Sequence, residues 1–343
     1  QGFPVSNPFR VRVAPPMPAR TLVLSCFASA LCLQCPRERS HEISFLQKGT
    51  LLQGTLLQGE AQGADRLAVA WGGAPRGSLR GDDPLPGCLA TYADRLDEIR
   101  PGLGAAIRGH PLRVNRTSQR QLVLGAGSGS TGTESLYAAL TRLGLKVGHL
   151  SYGVPEASRY AAQLLAIMLV KTGAECSSAL RQFDYSQLPA SVDGLVDTPV
   201  AELFVDFFLT FPNARYILTK RPPVEWAEAR WKLGLTPVPM QEPCGFLVPH
   251  TDPKNFSMLS RLFQSNNELV ECAVPKDRLF VIDVFQGPTE SLMDDLAHWL
   301  HRSSPGMAFP HCSGSGGYSE ADDPLCPIAG PFPWLKVFAD AAK

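Results

Sequence analysis

The chain has 343 residues, 44% of them apolar, which is enough for one large core or for one core plus an extension. Lys and Arg number 32, and Asp and Glu also number 32. That balance excludes a chain-wide basic surface for nucleic acid or for an anionic membrane, so any anion site must be built locally.

The N-terminal extension is 1–40. Residues 1–16 read as loop. Arg20 then precedes an uncharged, mostly apolar run, 21–35, that stops at "PRER". This is the order of a secretory signal, and 17–35 is its extent. The run is short for a bilayer crossing at ~1.5 Å per residue. A buried helix of the folded domain and a single N-terminal membrane anchor are the alternative readings. Residues 41–118 carry little periodicity. "GTLLQGTLLQG" (49–59) is a small tandem repeat and "WGGAPRGSLRGDDPLPG" (71–87) is turn-rich. The region reads as a low-complexity stem with one short helix at 92–99, and the domain is expected to fold without its first 118 residues.

The domain proper is 119–303. The pattern predicts strands at 121–127, 145–150, 191–199, 214–220 and 278–284. Helices are predicted at 133–144, 155–173, 200–211, 222–234, 253–274 and 289–302. Leu136, Ala139, Leu140 and Leu143 share one face of the first helix, which stops at Gly144. Strands alternating with helices imply a three-layer α/β/α domain on a mostly parallel five-stranded sheet. Ligands of such sheets bind outside the strand carboxyl ends. That rule selects the loop after Leu124, His149, Asp197 and Arg221. Residues 304–343 have no period and read as a tail, tied by Cys312 and Cys326.

Of nine cysteines, Cys26, Cys32 and Cys35 lie in the signal-like run. The other six, Cys88, Cys176, Cys244, Cys272, Cys312 and Cys326, include no CxxC pair. An even set of this kind suits a disulfide-bearing chain of the secretory pathway, in the Golgi lumen or secreted, rather than a metal site. Asn115 and Asn255 begin N-glycosylation sequons, which point the same way.

The informative stretch is "LVLGAGSGSTGTESLYAAL" (122–140), an apolar run entering glycines, then small polar residues, then a helix. A triphosphatase loop needs Lys where Thr133 stands. A dinucleotide fingerprint needs Gly where Ser130 stands and an acid near the end of the second strand, which ends at His149. Backbone N–H groups of 129–132 and the following helix start would instead cradle a phosphosulfate, with hydroxyls from Thr131 and Thr133 as added donors. Glu134 is an acid favoured by the positive end of that helix.

Three blocks together, "LGAGSGSTGTESLYAALTRLGLKVGHL", "DTPVAELFVDFFLTFPNARYILTKRPPVEWAEAR" and "DRLFVIDV", resemble the nucleotide-dependent sulfotransferases over about 120–302. The likeness is to the branch with an R-T-G-T-x-S-L type loop. It implies a P-loop-like fold and 3′-phosphoadenosine 5′-phosphosulfate as donor, with no metal. Gly127, Ser128, Gly129, Ser130, Thr131, Gly132, Thr133 and Glu134 would form the donor loop. Arg221 would contact the donor's 3′-phosphate. Where the family usually supplies a Ser in the next helix stands Ala229, followed by Arg230. Ser130 occupies the place of the family's loop cation, for which Lys220, Arg230 or a cation of the stem is the substitute. His149 is the first candidate for the base that takes the acceptor's proton, and Asp197 is the second unless it caps the following helix. The acceptor, a hydroxyl or amine, is not specified by the sequence. A weak member that binds nucleotide or a partner without turnover, and an NAD(P)-dependent reductase, are the rival readings.

Overall fold

The computed structural model describes residues 84–110, 112, 114–149, 152–170, 173–232, 255–286, 291–312 and 326. The signal-like run and the tandem repeat lie outside these residues. All described residues fall in one unit, Ala70–Lys343. Among them no helix is long and apolar enough to cross a membrane.

Six strands form one sheet. They are β1 (Val123–Gly125), β2 (Val147–His149), β3 (Tyr152–Gly153), β4 (Gly194–Leu195), β5 (Arg215–Lys220) and β6 (Leu279–Asp283), in the order β3-β2-β4-β1-β5-β6. Five are mutually parallel, the five expected from sequence. The sixth, β3, pairs antiparallel with β2 at the edge, and two residues are too few to carry a period.

Alternation along the strands separates two helical layers. Val123 and Ile217 face α3 (Thr133–Arg142) and α9 (Leu292–Trp299) through Leu136, Leu140, Met293 and Leu296. Leu124, Tyr216 and Leu218 face the other layer. That layer holds α4 (Pro155–Val170), α5 (Gly173–Gln182), α6 (Phe204–Thr210) and α8 (Asn255–Ala273). The expected helix 155–173 is α4, which ends at Val170, and an unexpected second helix, α5, follows from Gly173; its Cys176 and Leu180, four apart, are buried on one face. The short α7 (Pro223–Lys232) is stacked on α8 through the Trp226 and Phe263 rings, 4.4 Å apart and nearly parallel.

Both domain boundaries move outward. Upstream of 119, α1 (Leu85–Ile99) and α2 (Gly104–Arg108) belong to the core. Leu85, Cys88, Leu89, Tyr92, Ala93 and Leu96 recur at helical spacing, and all six are buried in the larger cluster. Cys88 is disulfide-bonded to Cys272 on α8, and Arg95 pairs with Glu268 on the same helix. Downstream of 303, Phe309 is buried against α3 and α9, and the Cys312 backbone N–H donates to Ser135 Oγ. Cys312 is bonded to Cys326, the pairing expected from sequence.

A chain beginning at Gln119 therefore strips α8 of its apolar cover. It is expected to aggregate or to lose its cooperative melt. In the full chain, Cys88→Ser should cost about 2–5 kcal/mol in urea unfolding, the usual range for a disulfide closing a long loop. A truncated chain that melts at the parent temperature would put α1 outside the fold.

Candidate functional site

Parallel pairing places the carboxyl ends of β1, β2, β4 and β5 on one edge. From β1 the chain crosses toward β2, and from β5 it crosses toward β6. Such divergence opens a crevice between the two strand ends. The glycine loop after β1, His149 at the end of β2, Asp197 just past β4, and Lys220 with Arg221 at the end of β5 all lie on this edge.

The loop is shaped by close approaches. A Cβ on Gly127 would lie 1.9 Å from Thr219 Oγ1, and one on Gly129 would lie 2.7 Å from Arg230 Nη1. Gly132, which leads into α3, has φ +92°. Ser130 has φ 72° and Asp197 also has φ 72°, a region that non-glycine residues occupy at a cost. Trp226 Nε1 donates to the Gly129 carbonyl at 2.9 Å, so this Trp clamps the loop as well as packing. The Thr131 hydroxyl donates to the Ser128 carbonyl and meets Thr219 Oγ1, both at 2.6 Å. That hydroxyl braces the loop and is not the ligand donor expected from sequence. Ser128 Oγ is buried and has no hydrogen-bond partner among the described residues. Glu134 lies in the first turn of α3, where an acid complements the helix end.

Beside the loop lies a buried polar cluster. His149 Nε2 is 3.3 Å from Asp197 Oδ2 and 3.4 Å from Thr133 Oγ1. A carboxylate at that distance can accept from Nε2–H. Burial lowers the imidazole pKa, against a smaller opposing pull from Asp197, so the ring is neutral. The Asp197 side chain faces His149 rather than capping the helix that follows. Its Oδ1 comes within 3.0 Å of the point a Gly129 Cβ would occupy. Arg230 from α7 is buried, and burial lowers its pKa against the opposing charges of Glu202 and Asp197. A guanidinium keeps its proton in such a setting. Glu202 is buried too and accepts from Thr198 Oγ1 at 3.0 Å. Burial first, then the Asp197 charge, push its carboxyl up to about 7.

The cations at the crevice differ in their engagements. Lys220 is paired with Glu271 on α8 at 2.8 Å. Arg221 Nη1 donates to the Ser130 carbonyl at 3.4 Å, and its guanidinium lies 4.3 Å from the Phe285 ring centroid. Between Lys220 and Arg230, both offered by sequence as substitutes at Ser130, Arg230 is therefore the one against the loop. Glu202 was missed by the sequence reading, although an acid in the apolar run "VAELFVDFF" is a signal that a buried partner is needed. Among the described residues no group of three or more His, Cys, Asp or Glu could hold a metal ion.

Glu202 gives the domain a pH dependence. Folded, the carboxyl titrates at about 7, against an ordinary value of 4.5. Between those values the folded chain holds a proton that the unfolded chain has released, so this contribution falls as pH rises through that window and is flat above it. Urea unfolding of the parent at pH 5, 6, 7 and 8 should show the fall. Glu202→Gln should flatten it, and an unchanged slope in that variant would assign the titration to another group.

Residues 122–238 match the family model described as a sulfotransferase domain. A protein named "Ava biosynthesis cluster protein M", from Aspergillus versicolor, is 25% identical over 222 residues, which span 57% of this chain and 82% of the relative. The segment matched by the family model contains the glycine loop, His149, Asp197, Glu202, Arg221 and Arg230. On this three-layer α/β/α scaffold, residues 122–238 are the segment that is similar to a sulfotransferase domain.

Proposed function

We propose that the protein transfers a sulfuryl group from 3′-phosphoadenosine 5′-phosphosulfate to a hydroxyl or amine acceptor. The observation that carries this reading is the loop 127–133. Its glycines leave room where side chains would collide, its backbone turns at Ser130 and Gly132, and two arginines flank it. These residues fit a phosphate-bearing ligand. Amides of 129–132 and the buried Ser128 hydroxyl supply neutral donors, and α3 presents its positive end. Arg221, at the rim, suits the outer 3′-phosphate. When bound, the donor supplies the activated sulfuryl group. Neutral His149, held by Asp197, would accept the acceptor's proton.

Ser130 favours a second reading, a member that binds nucleotide with little turnover, because the loop itself bears no cation. The setting we propose for either is the secretory pathway. Cys88–Cys272, Cys312–Cys326 and a disulfide at Cys176 account for every described cysteine, which supports an oxidising compartment. Asn115, in the first sequon, is exposed. The apolar run 21–35, as signal or anchor, lies outside the described residues.

A thermal-shift panel of adenosine 3′,5′-bisphosphate, ATP, NAD and NADP tests the donor class, since a ligand of the native state raises its melting temperature. Only the bisphosphate should do so; stabilisation by NAD or NADP alone would favour the reductase. Arg221→Ala should weaken bisphosphate binding by about 1.5–3 kcal/mol, as for a lost charge-assisted bond, and leave the melting temperature of the ligand-free protein nearly unchanged. Equal affinity in variant and parent would move the 3′-phosphate elsewhere.

A further inference from the structure

The loop 127–133 has no cationic side chain. A phosphosulfate is polyanionic, and neutral amides alone leave much of its charge uncompensated in a water-poor crevice. Positive charge must then reach the loop from another element. Lys220 is engaged with Glu271 on α8. Arg221 approaches from the rim, at the Ser130 carbonyl. Arg230 approaches from inside the fold.

Two features fix Arg230 against the loop. Gly129 has no Cβ, and one built there would stand 2.7 Å from Nη1, so the guanidinium fills space that any other residue at 129 would claim. One turn earlier on α7, Trp226 holds the Gly129 carbonyl, and its ring centroid lies 5.9 Å from the Arg230 guanidinium carbon. The same helix therefore pins the loop and brings a charge to it. The arrangement is costly, because a buried guanidinium must be balanced by nearby acids, here Asp197 and Glu202. A purely packing role for position 230 would be served by an apolar side chain without that cost.

Resting on the donor reading of the loop, we propose that Arg230 supplies from beneath Gly129 the positive charge that the loop lacks at Ser130, holding the loop amides in place and favouring a polyanion on its outer side. Arg230 is thus a positioning and charge-supplying residue, acting through the loop rather than by contact with the acceptor.

The test moves the charge. Adenosine 3′,5′-bisphosphate affinity is measured by calorimetry, and each variant is checked by its melting curve. Arg230→Gln should lose about tenfold or more in affinity, the scale of a charge-assisted interaction. Adding Ser130→Arg to that variant should restore most of the loss, which a structural role for Arg230 does not explain. A folded double variant that regains nothing overturns the proposal, as does Arg230→Gln with parental affinity. If Arg230→Gln fails to fold, two other variants decide. Arg230→Lys should stay within about threefold of the parent, and Ser130→Arg alone should raise affinity by less than about threefold because the charge is already present. A rise of about tenfold or more from Ser130→Arg alone shows that the loop was short of charge and overturns the proposal. A parent that binds no bisphosphate at all sinks the donor reading itself, whereas a binding parent with an indifferent position 230 sinks this inference alone.

Discussion

The contact of a buried guanidinium with a residue that has no side chain governs the geometry of the crevice. Gly129 can approach Arg230 only because it lacks a Cβ, and Arg230 can stay buried only because acids surround it. Each condition recruits further structure. Trp226 must lie flat on Phe263 for its N–H to reach the Gly129 carbonyl, so α7 depends on α8. Helix α8 is in turn bonded to α1 through Cys88–Cys272 and paired with it through Arg95 and Glu268. A helix well upstream of the loop in sequence thereby buttresses the helix that holds the loop.

Charge balance in the cluster follows from the same burial. Two acids and one arginine in a low-dielectric site would carry a net negative charge if all were ionised, beside a loop read as an anion cradle. The Glu202 carboxyl responds by titrating near neutrality. With its proton on, Glu202 no longer offsets the Arg230 charge, and Asp197 remains as its counter-charge. Neutral His149 adds no charge of its own. The pKa of one acid thus sets how strongly the cluster offsets the charge beneath the loop.

Most of the sheet was legible because buried parallel strands read as short apolar runs closed by turn residues, as in "LVLGAG" and "ARYILTK". Edge strand β3 was not, and neither was α1. Its apolar residues keep helical spacing from Leu85 to Leu96, but they begin inside "GDDPLPG", whose prolines and glycines resemble the turn-rich stem before them. Long-range facts left still less trace. Nothing local pairs Arg230 with Glu202, and nothing in "GSGSTG" tells that Thr131 turns inward to Thr219 while Ser128 is left with a buried, unpartnered hydroxyl. The residue types of the site were readable; their division between ligand-facing and bracing roles depends on contacts between elements distant in sequence.

The two left-handed residues show how that division is made. Ser130 and Asp197 each sit just past a strand carboxyl end, on the adjacent strands β1 and β4, and each bears a backbone cost of about 1–3 kcal/mol. Glycine would relieve the strain at either position, yet at 197 it would remove the carboxylate. That carboxylate has two faces in use: Oδ2 meets His149 from β2, and Oδ1 lies at Gly129 beside the Arg230 guanidinium. Asp197 is therefore the joint between the prospective proton acceptor and the charge beneath the loop. Its left-handed backbone accompanies a side chain directed at both, where an ordinary cap would direct it at the helix that follows. At Ser130 the same conformation directs the carbonyl to Arg221. Strain kept at both positions, each aiming a polar group at a different charged partner, is what a preorganised anion site requires and what a simple strand-to-helix turn does not.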